Sequence, residues 1–154
     1  MEEPGRESRL SMDEIYLRIC RDLSQRTNCL RRKIGCLIVR SGQIVASGLN
    51  GAPKGLPLCG TTGCLRDQMG IARGTRAEVC RGVHAEQNAI VGCGLEKTSG
   101  ATLYTNSFPC PVCAKLIIQA EIGRVVICGD YPDDEGIKLL RQAGIQVTIL
   151  PEPE

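Results

Sequence analysis

The chain has no tryptophan, a single phenylalanine and three tyrosines, which leaves few rings on which the bases of a single-stranded nucleic acid could stack. It also has no surplus of either charge. Its 19 Lys and Arg stand against 17 Asp and Glu, a formal net charge of +2, too balanced to argue for nucleic acid or an anionic membrane as partner. No apolar run approaches the roughly 20 residues that a membrane-spanning helix requires. The opening stretch MEEPGRESRL is too polar for a secretory signal, so the expectation is a soluble, cytoplasmic protein with no membrane partner.

What is abundant is cysteine, with ten in 154 residues. In a reducing compartment thiols in such number more often bind metal or catalyse than form disulfides. Cys20, Cys36, Cys93 and Cys128 each lie in an apolar stretch and read as small core residues. The other six carry the functional argument.

The length fits one domain on a prior of roughly 150 residues each. Residues 12–150 are expected to form it, with 1–11 and 151–154 as flexible ends. Ser11-Met-Asp-Glu14 is a capping box, and the spacing of Ile15, Tyr16, Ile19, Cys20 and Leu23 predicts an amphipathic helix over 12–25. Ile34–Val39 and Ile44–Leu49, joined by Arg40-Ser-Gly-Gln43, predict an antiparallel hairpin. Residues 50–82 hold seven Gly and two Pro and no sustained period. A loop that long is functional, disordered or held by something other than packing. Beyond it the pattern alternates: helix 84–93, strand 101–105, helix 111–121, strand 124–128, helix 134–143, strand 145–150. Such alternation implies βαβ units on a mixed central sheet, hence a three-layer α/β/α domain carrying a cysteine-bearing insert.

Two segments concentrate the chemistry: Val83-His-Ala-Glu86 and Phe108-Pro-Cys-Pro-Val-Cys113. Pro111 suits a first helical position, which places Cys110 at the N-cap and Cys113 in the first turn, where thiolates are favoured. His84 is the only histidine and starts the preceding helix. If the two helix starts converge, His84, Cys110 and Cys113 supply three zinc ligands and leave the fourth position open, the layout of a catalytic site. Glu86 then shuttles protons. Taken singly, the C-x-x-C could be a thioredoxin-like redox pair and the histidine a plain surface or core residue. The joint pattern H-A-E followed by P-C-x-x-C is the zinc deaminase signature.

The runs HAEQNAI, GATLYTNSFPCPVCAKLIIQA and YPDDEGIKLLRQAGIQV, with TNCLRRKIGCLIV and GLNGAPKGLPLC upstream, resemble the deoxycytidylate (dCMP) deaminase family of the cytidine deaminase superfamily, nearest its competence-type bacterial and archaeal branch. The resemblance covers nearly all of 12–150 and implies the cytidine deaminase-like fold. It implies hydrolysis of dCMP to dUMP and ammonia, feeding dTMP synthesis, with Zn2+ on His84, Cys110 and Cys113 and Glu86 as general acid and base. Asn50 matches an asparagine suited to the sugar or base edge, the Ala85 N–H is placed to read the base carbonyl, and Tyr131 matches an aromatic that lines the pocket. The resemblance further implies a homo-oligomer, with a hexamer favoured, and dCTP and dTTP as effectors. The chain departs from the family pattern at Glu121 and Asn106. The alternatives are deamination of another pyrimidine nucleotide such as dCTP, a nucleic-acid editing deaminase, or a zinc module without catalysis, which Glu86 argues against.

Cys29, Cys59, Cys64 and Cys80 remain. A closed zinc site of these four thiolates would order a loop that lacks the means to pack, and several family members resemble this in carrying a second, structural zinc. The C-x4-C spacing is wider than that of ordinary fingers, and a reduced loop with three ligands or none is the other reading.

Overall fold

The computed structural model describes residues 9–130 and 133–154. In chain order the elements are α1 (Met12–Ser24), β1 (Gly35–Arg40), β2 (Gln43–Leu49), α2 (Cys59–Thr62), α3 (Leu65–Gln68), a 3-10 turn (Ala77–Val79), α4 (Ala85–Cys93), α5 (Leu95–Thr98), β3 (Thr102–Thr105), α6 (Pro111–Gln119), β4 (Arg124–Ile127), α7 (Glu135–Gln142) and β5 (Gln146–Ile149). The long elements fall within a residue or two of the sequence expectation, the usual margin at element ends. The insert differs: two single-turn helices and the 3-10 turn occupy what reads in sequence as unpatterned loop.

The five strands run in the order β2-β1-β3-β4-β5. β1 is antiparallel to both β2 and β3, whereas β3, β4 and β5 are mutually parallel, so the sheet is mixed as expected. The β1–β2 turn is Ser41-Gly42, both at positive φ, the twist that suits a two-residue hairpin. Side chains alternate between the faces of the sheet. Cys36, Ile38, Leu103, Val125 and Ile127 pack with Ala85, Ala89, Ala114, Ile117, Ile137 and Leu140 of α4, α6 and α7. Leu37, Val39, Tyr104, Val126 and Cys128 face Tyr16, Leu17 and Cys20 of α1. One helix on one face and three on the other make the three layers. Cys20, Cys36 and Cys128 are fully buried, and Cys93 is half-buried against the core, in line with their reading as packing residues.

α4 lies unusually close to the sheet. A Cβ on Gly48 of β2 would fall 2.2 Å from the carbonyl oxygen of Ala85 and 2.6 Å from the amide nitrogen of Ala89. Only glycine there, with alanine on the facing helix positions, permits that approach. A Cβ on Gly136 would likewise fall 1.9 Å from the carbonyl oxygen of Pro109, which seats α7 against the start of α6.

α1 is fixed by polar contacts as well as apolar ones. Asp13 accepts from both terminal nitrogens of Arg124, at 3.0 and 2.7 Å, and from the hydroxyl of Tyr104 at 2.7 Å. Arg21 donates to the backbone oxygens of Pro153 and Glu154. Glu121 and Asn106, the two positions that read in sequence as departures from the family pattern, each make defined local contacts. Glu121 ends α6 at a φ of +59°, a conformation that costs a side-chain-bearing residue energy. Its carbonyl accepts from the Gly100 amide and its carboxylate from the Ser99 hydroxyl, which offset that cost. Asn106 accepts from the Gly35 amide at 2.8 Å and donates to the Lys33 carbonyl at 3.2 Å, pinning the entry of β1 to the exit of β3. Among the described residues no helix is long and apolar enough to cross a membrane.

Candidate active site

The site is assembled from two helix starts. His84 is the extended N-cap of α4, and its amide donates to Gln87 Oε1 at 2.8 Å. Cys110 is the N-cap of α6, with Pro111 at the first helical position as expected. Its sulfur accepts the Cys113 amide at 3.4 Å, satisfying one of the donors that a helix start leaves unpaired.

The packing of α4 and α6 on the same face of the sheet brings these ends together. His84 Nδ1 lies 3.2 Å from Cys113 Sγ and 3.5 Å from Cys110 Sγ. Zinc bonds of about 2.0 Å to imidazole and 2.3 Å to thiolate, arranged tetrahedrally, set N···S edges of roughly 3.6 Å. The observed separations fit that figure, and two sulfurs with one imidazole are a donor set suited to zinc. Among the described residues this is the one group of three ligand atoms within 4.8 Å of one another.

The electrostatics agree. Hydrogen bonding from the Cys113 thiol, joined by His84, outweighs burial and pulls the Cys110 thiol down to about 4, and Cys110 in turn raises His84. Two helix N-termini pointing inward favour the anionic form of such a sulfur.

Glu86, in the first turn of α4, is 3% exposed. Burial raises its carboxyl above the usual range, and the Thr105 hydroxyl at the end of β3 donates to it at 3.3 Å. A buried carboxyl with a raised pKa beside a cavity is suited to carrying protons. The cavity has a volume of about 470 Å³, and His84, Glu86, Cys110 and Phe108 line it, as do Asn50 and several basic side chains.

Asn50 is on that wall with its side chain already engaged: Oδ1 accepts from the Ile34 amide and Nδ2 donates to the Arg32 carbonyl, both at 3.0 Å. Ala85 is the fully buried first residue of α4, so its amide has no carbonyl one turn back within the helix. Tyr131 lies outside the described residues.

The four remaining cysteines come into one neighbourhood. Cys29, Cys59 and Cys80 line the same cavity, and the Cys59 thiol is raised by burial and then by the nearness of Cys29, Cys80 and Cys64. Cys29 Sγ accepts the Arg32 amide at 3.4 Å and Cys80 Sγ the Gly82 amide at 3.3 Å. Those four sulfurs do not close to the mutual distances seen at His84. Arg31 ties the insert down through Asp67 Oδ1 at 2.7 Å and the carbonyls of Ile71 and Ala72.

Two residues at the site are missed by sequence reasoning. Thr105 carries the weak signal of a hydroxyl closing an apolar strand just before the Pro-Cys run. Arg66, which also lines the cavity, carries none that separates it from the other arginines of the insert.

Residues 10–129 match the model of the cytidine and deoxycytidylate deaminase zinc-binding region. The chain is 37% identical over 141 residues to a deoxycytidylate deaminase of Saccharomyces cerevisiae, a match that takes in 90% of this chain and 45% of the yeast protein. It therefore spans about half the length of that relative. It is 40% identical over 132 residues to the deoxycytidylate deaminase of Mycobacterium phage D29, covering 82% of this chain and 98% of that one. The crystal structure of the dCMP deaminase of cyanophage S-TIM5 in complex with dCMP and dUMP superposes with a TM-score of 0.75 at 31% identity, over 97% of this chain and 100% of that one. With the matched region covering most of the chain, this chain belongs to the cytidine and deoxycytidylate deaminase family.

Proposed function

We propose that the chain catalyses the hydrolytic deamination of dCMP, in which dCMP and water give dUMP and ammonia. The observation that carries this reading is the buried Glu86 carboxyl two residues from His84, opening with Cys110 onto one cavity that basic side chains also line. The dCMP and dUMP held by the cyanophage relative support the same substrate.

In this reading His84, Cys110 and Cys113 hold the zinc. When bound, the metal would lower the pKa of a water to near neutrality and so supply a hydroxide. Glu86 takes a proton from the attacking water and delivers it to N3 of the pyrimidine as C4 gains the oxygen. It then carries the second proton to the 4-amino group, the C4–N bond breaks and ammonia leaves. Thr105 orients the carboxyl. The Ala85 amide donates to the base carbonyl. The Asn50 amide keeps one N–H and one lone pair beyond its two backbone bonds and offers them to the sugar.

We assign a second, structural zinc to Cys29, Cys59, Cys64 and Cys80. Its support is the shared neighbourhood of the four thiols and the backbone N–H groups aimed at two of them, the same donor arrangement that Cys110 has. Assembly as a homo-oligomer, with a hexamer favoured, is part of the proposal. Exposed Val91 and Leu95 on α4 and α5 are apolar surface that a subunit contact would cover. The dCTP and dTTP effectors rest on the family resemblance alone.

Ammonia release from dCMP, dCTP, cytidine and single-stranded DNA, with and without a zinc chelator, tests the reading. Chelator-sensitive release from dCMP is expected. Release from DNA alone, or from none of the four, overturns it.

A further inference from the structure

Five basic side chains line the cavity: Arg31, Arg32, Lys33, Arg66 and Arg73. Their engagements differ. Arg31 is held by Asp67 and two insert carbonyls, with its side chain 5% exposed. Arg32 donates to the Asp130 carbonyl at 2.8 Å. Both work as struts between segments.

Arg66 is different. It projects from α3, and one terminal nitrogen donates to the Thr75 carbonyl at 3.0 Å, which steadies the guanidinium. Its Nε is buried with no hydrogen-bond partner among the described residues. A buried N–H of that kind in a native protein calls for an explanation. Three other arginines, Arg18, Arg81 and Arg124, have a similarly unpaired Nε, and none of them lines the cavity.

Resting on the dCMP reading above, we propose that Arg66 is the specificity-determining residue for the substrate's 5′-phosphate, with Lys33 and Arg73 adding cationic surface beside it. A guanidinium presents a planar fork of donors that matches phosphate oxygens two at a time. Held by the Thr75 carbonyl, it loses little side-chain freedom on binding. The insert thereby supplies the contact that separates a nucleoside monophosphate from the bare nucleoside, while α4 and α6 supply the chemistry.

The test compares kcat and KM for dCMP and for deoxycytidine in the wild type, Arg66→Met, Arg66→Lys and Arg76→Met. Charge-assisted contacts of this type predict a loss of about 10- to 100-fold in kcat/KM for dCMP in Arg66→Met, carried mainly by KM, against less than about 3-fold for deoxycytidine. Arg66→Lys should recover part of the loss, and inorganic phosphate should compete with dCMP in the wild type but not in Arg66→Met. Arg76, paired with Glu78 on the exposed insert surface and outside the cavity, should leave the ratio between the two substrates unmoved. Equal losses for both substrates in Arg66→Met would make Arg66 a strut for the 75 loop and overturn the proposal. If Arg66→Met does not fold, an unchanged substrate ratio in Arg66→Lys overturns it. A wild-type enzyme that deaminates neither substrate would instead overturn the dCMP reading, so the two failures are distinct.

Discussion

Replacing Gly48 with alanine adds a single methyl group on β2 and should nevertheless disable the site. The added Cβ meets the Ala85 carbonyl oxygen at 2.2 Å and the Ala89 amide nitrogen at 2.6 Å, both backbone atoms that cannot rotate away. Relief to an ordinary contact of 3.4 Å or more demands that α4 move off the sheet by more than about 1 Å, and overpacking of this kind costs about 1–3 kcal/mol. For a domain of this size each kcal/mol lowers Tm by about 2–4 °C. The motion carries His84 and Glu86 with it while Cys110 and Cys113 stay on α6, so the 3.2 Å separation of His84 from Cys113 is the distance that suffers. A misplacement of about 1 Å can cost about 100-fold in rate. Thermal melts, metal analysis and steady-state deamination of dCMP should show all three quantities fall together. Gly92, on the same helix with nothing within 4 Å of the place a Cβ would occupy, is the control. Gly92→Ala should gain up to about 1 kcal/mol from helix propensity and leave zinc and turnover alone. A Gly48→Ala protein with wild-type Tm, zinc content and kcat would refute the argument that this contact sets the geometry.

Glu86→Gln keeps shape and ligands but removes the proton carrier, so kcat should fall by about 10²- to 10⁴-fold with zinc retained, as read by kinetics and metal analysis. Cys64→Ser should lower zinc from about two per chain toward one and expose the insert to limited proteolysis; unchanged metal content would remove the second zinc site. Asp13, held below the usual carboxylate range by hydrogen bonds from Arg124, should stabilise the fold above its unfolded value of about 3.9, a contribution lost as pH falls through the lower folded value. Asp13→Asn should therefore cost about 1–3 kcal/mol near neutral pH and flatten the acid limb, measured by urea unfolding between pH 3 and 7.

The elements most legible in the sequence are those written in local chemistry. The Ser11–Glu14 capping box marks the start of α1, Ser41-Gly42 turns the hairpin, and Pro111 sets the register of α6 so that Cys110 becomes its cap. The pairing of His84 with Cys110 and Cys113 was readable because each piece begins a helix, one after the insert and the other after β3. What escaped reading depends on contacts far apart in the chain. Asp13 and Arg124 are 111 residues apart, and nothing local to either announces the pair. Single turns such as Cys59–Thr62 and Leu65–Gln68 are too short to nucleate alone and leave no periodicity. Asn50 reads in sequence as a contact for substrate, and nothing local to it announces what the structure shows its amide doing, bridging the backbone at Arg32 and Ile34. The crowding at Gly48 has no local signature either, since glycine in a strand commonly marks a bulge or a bend instead.

The insert enters and leaves the domain through one pair of residues. Gly51 and Val83 form an isolated antiparallel bridge, with reciprocal amide-to-carbonyl bonds at 3.0 and 2.7 Å. Because that clasp holds the two ends together, a change in the length of the intervening segment should cost little: doubling such a loop adds only about 0.6 kcal/mol of closure entropy. His84 follows the clasp by one residue, so grafting a different 52–82 segment between the same two residues would preserve the starting point of α4. Under the function proposed above, substrate choice would then be exchangeable as a module while the deamination chemistry stays with α4 and α6.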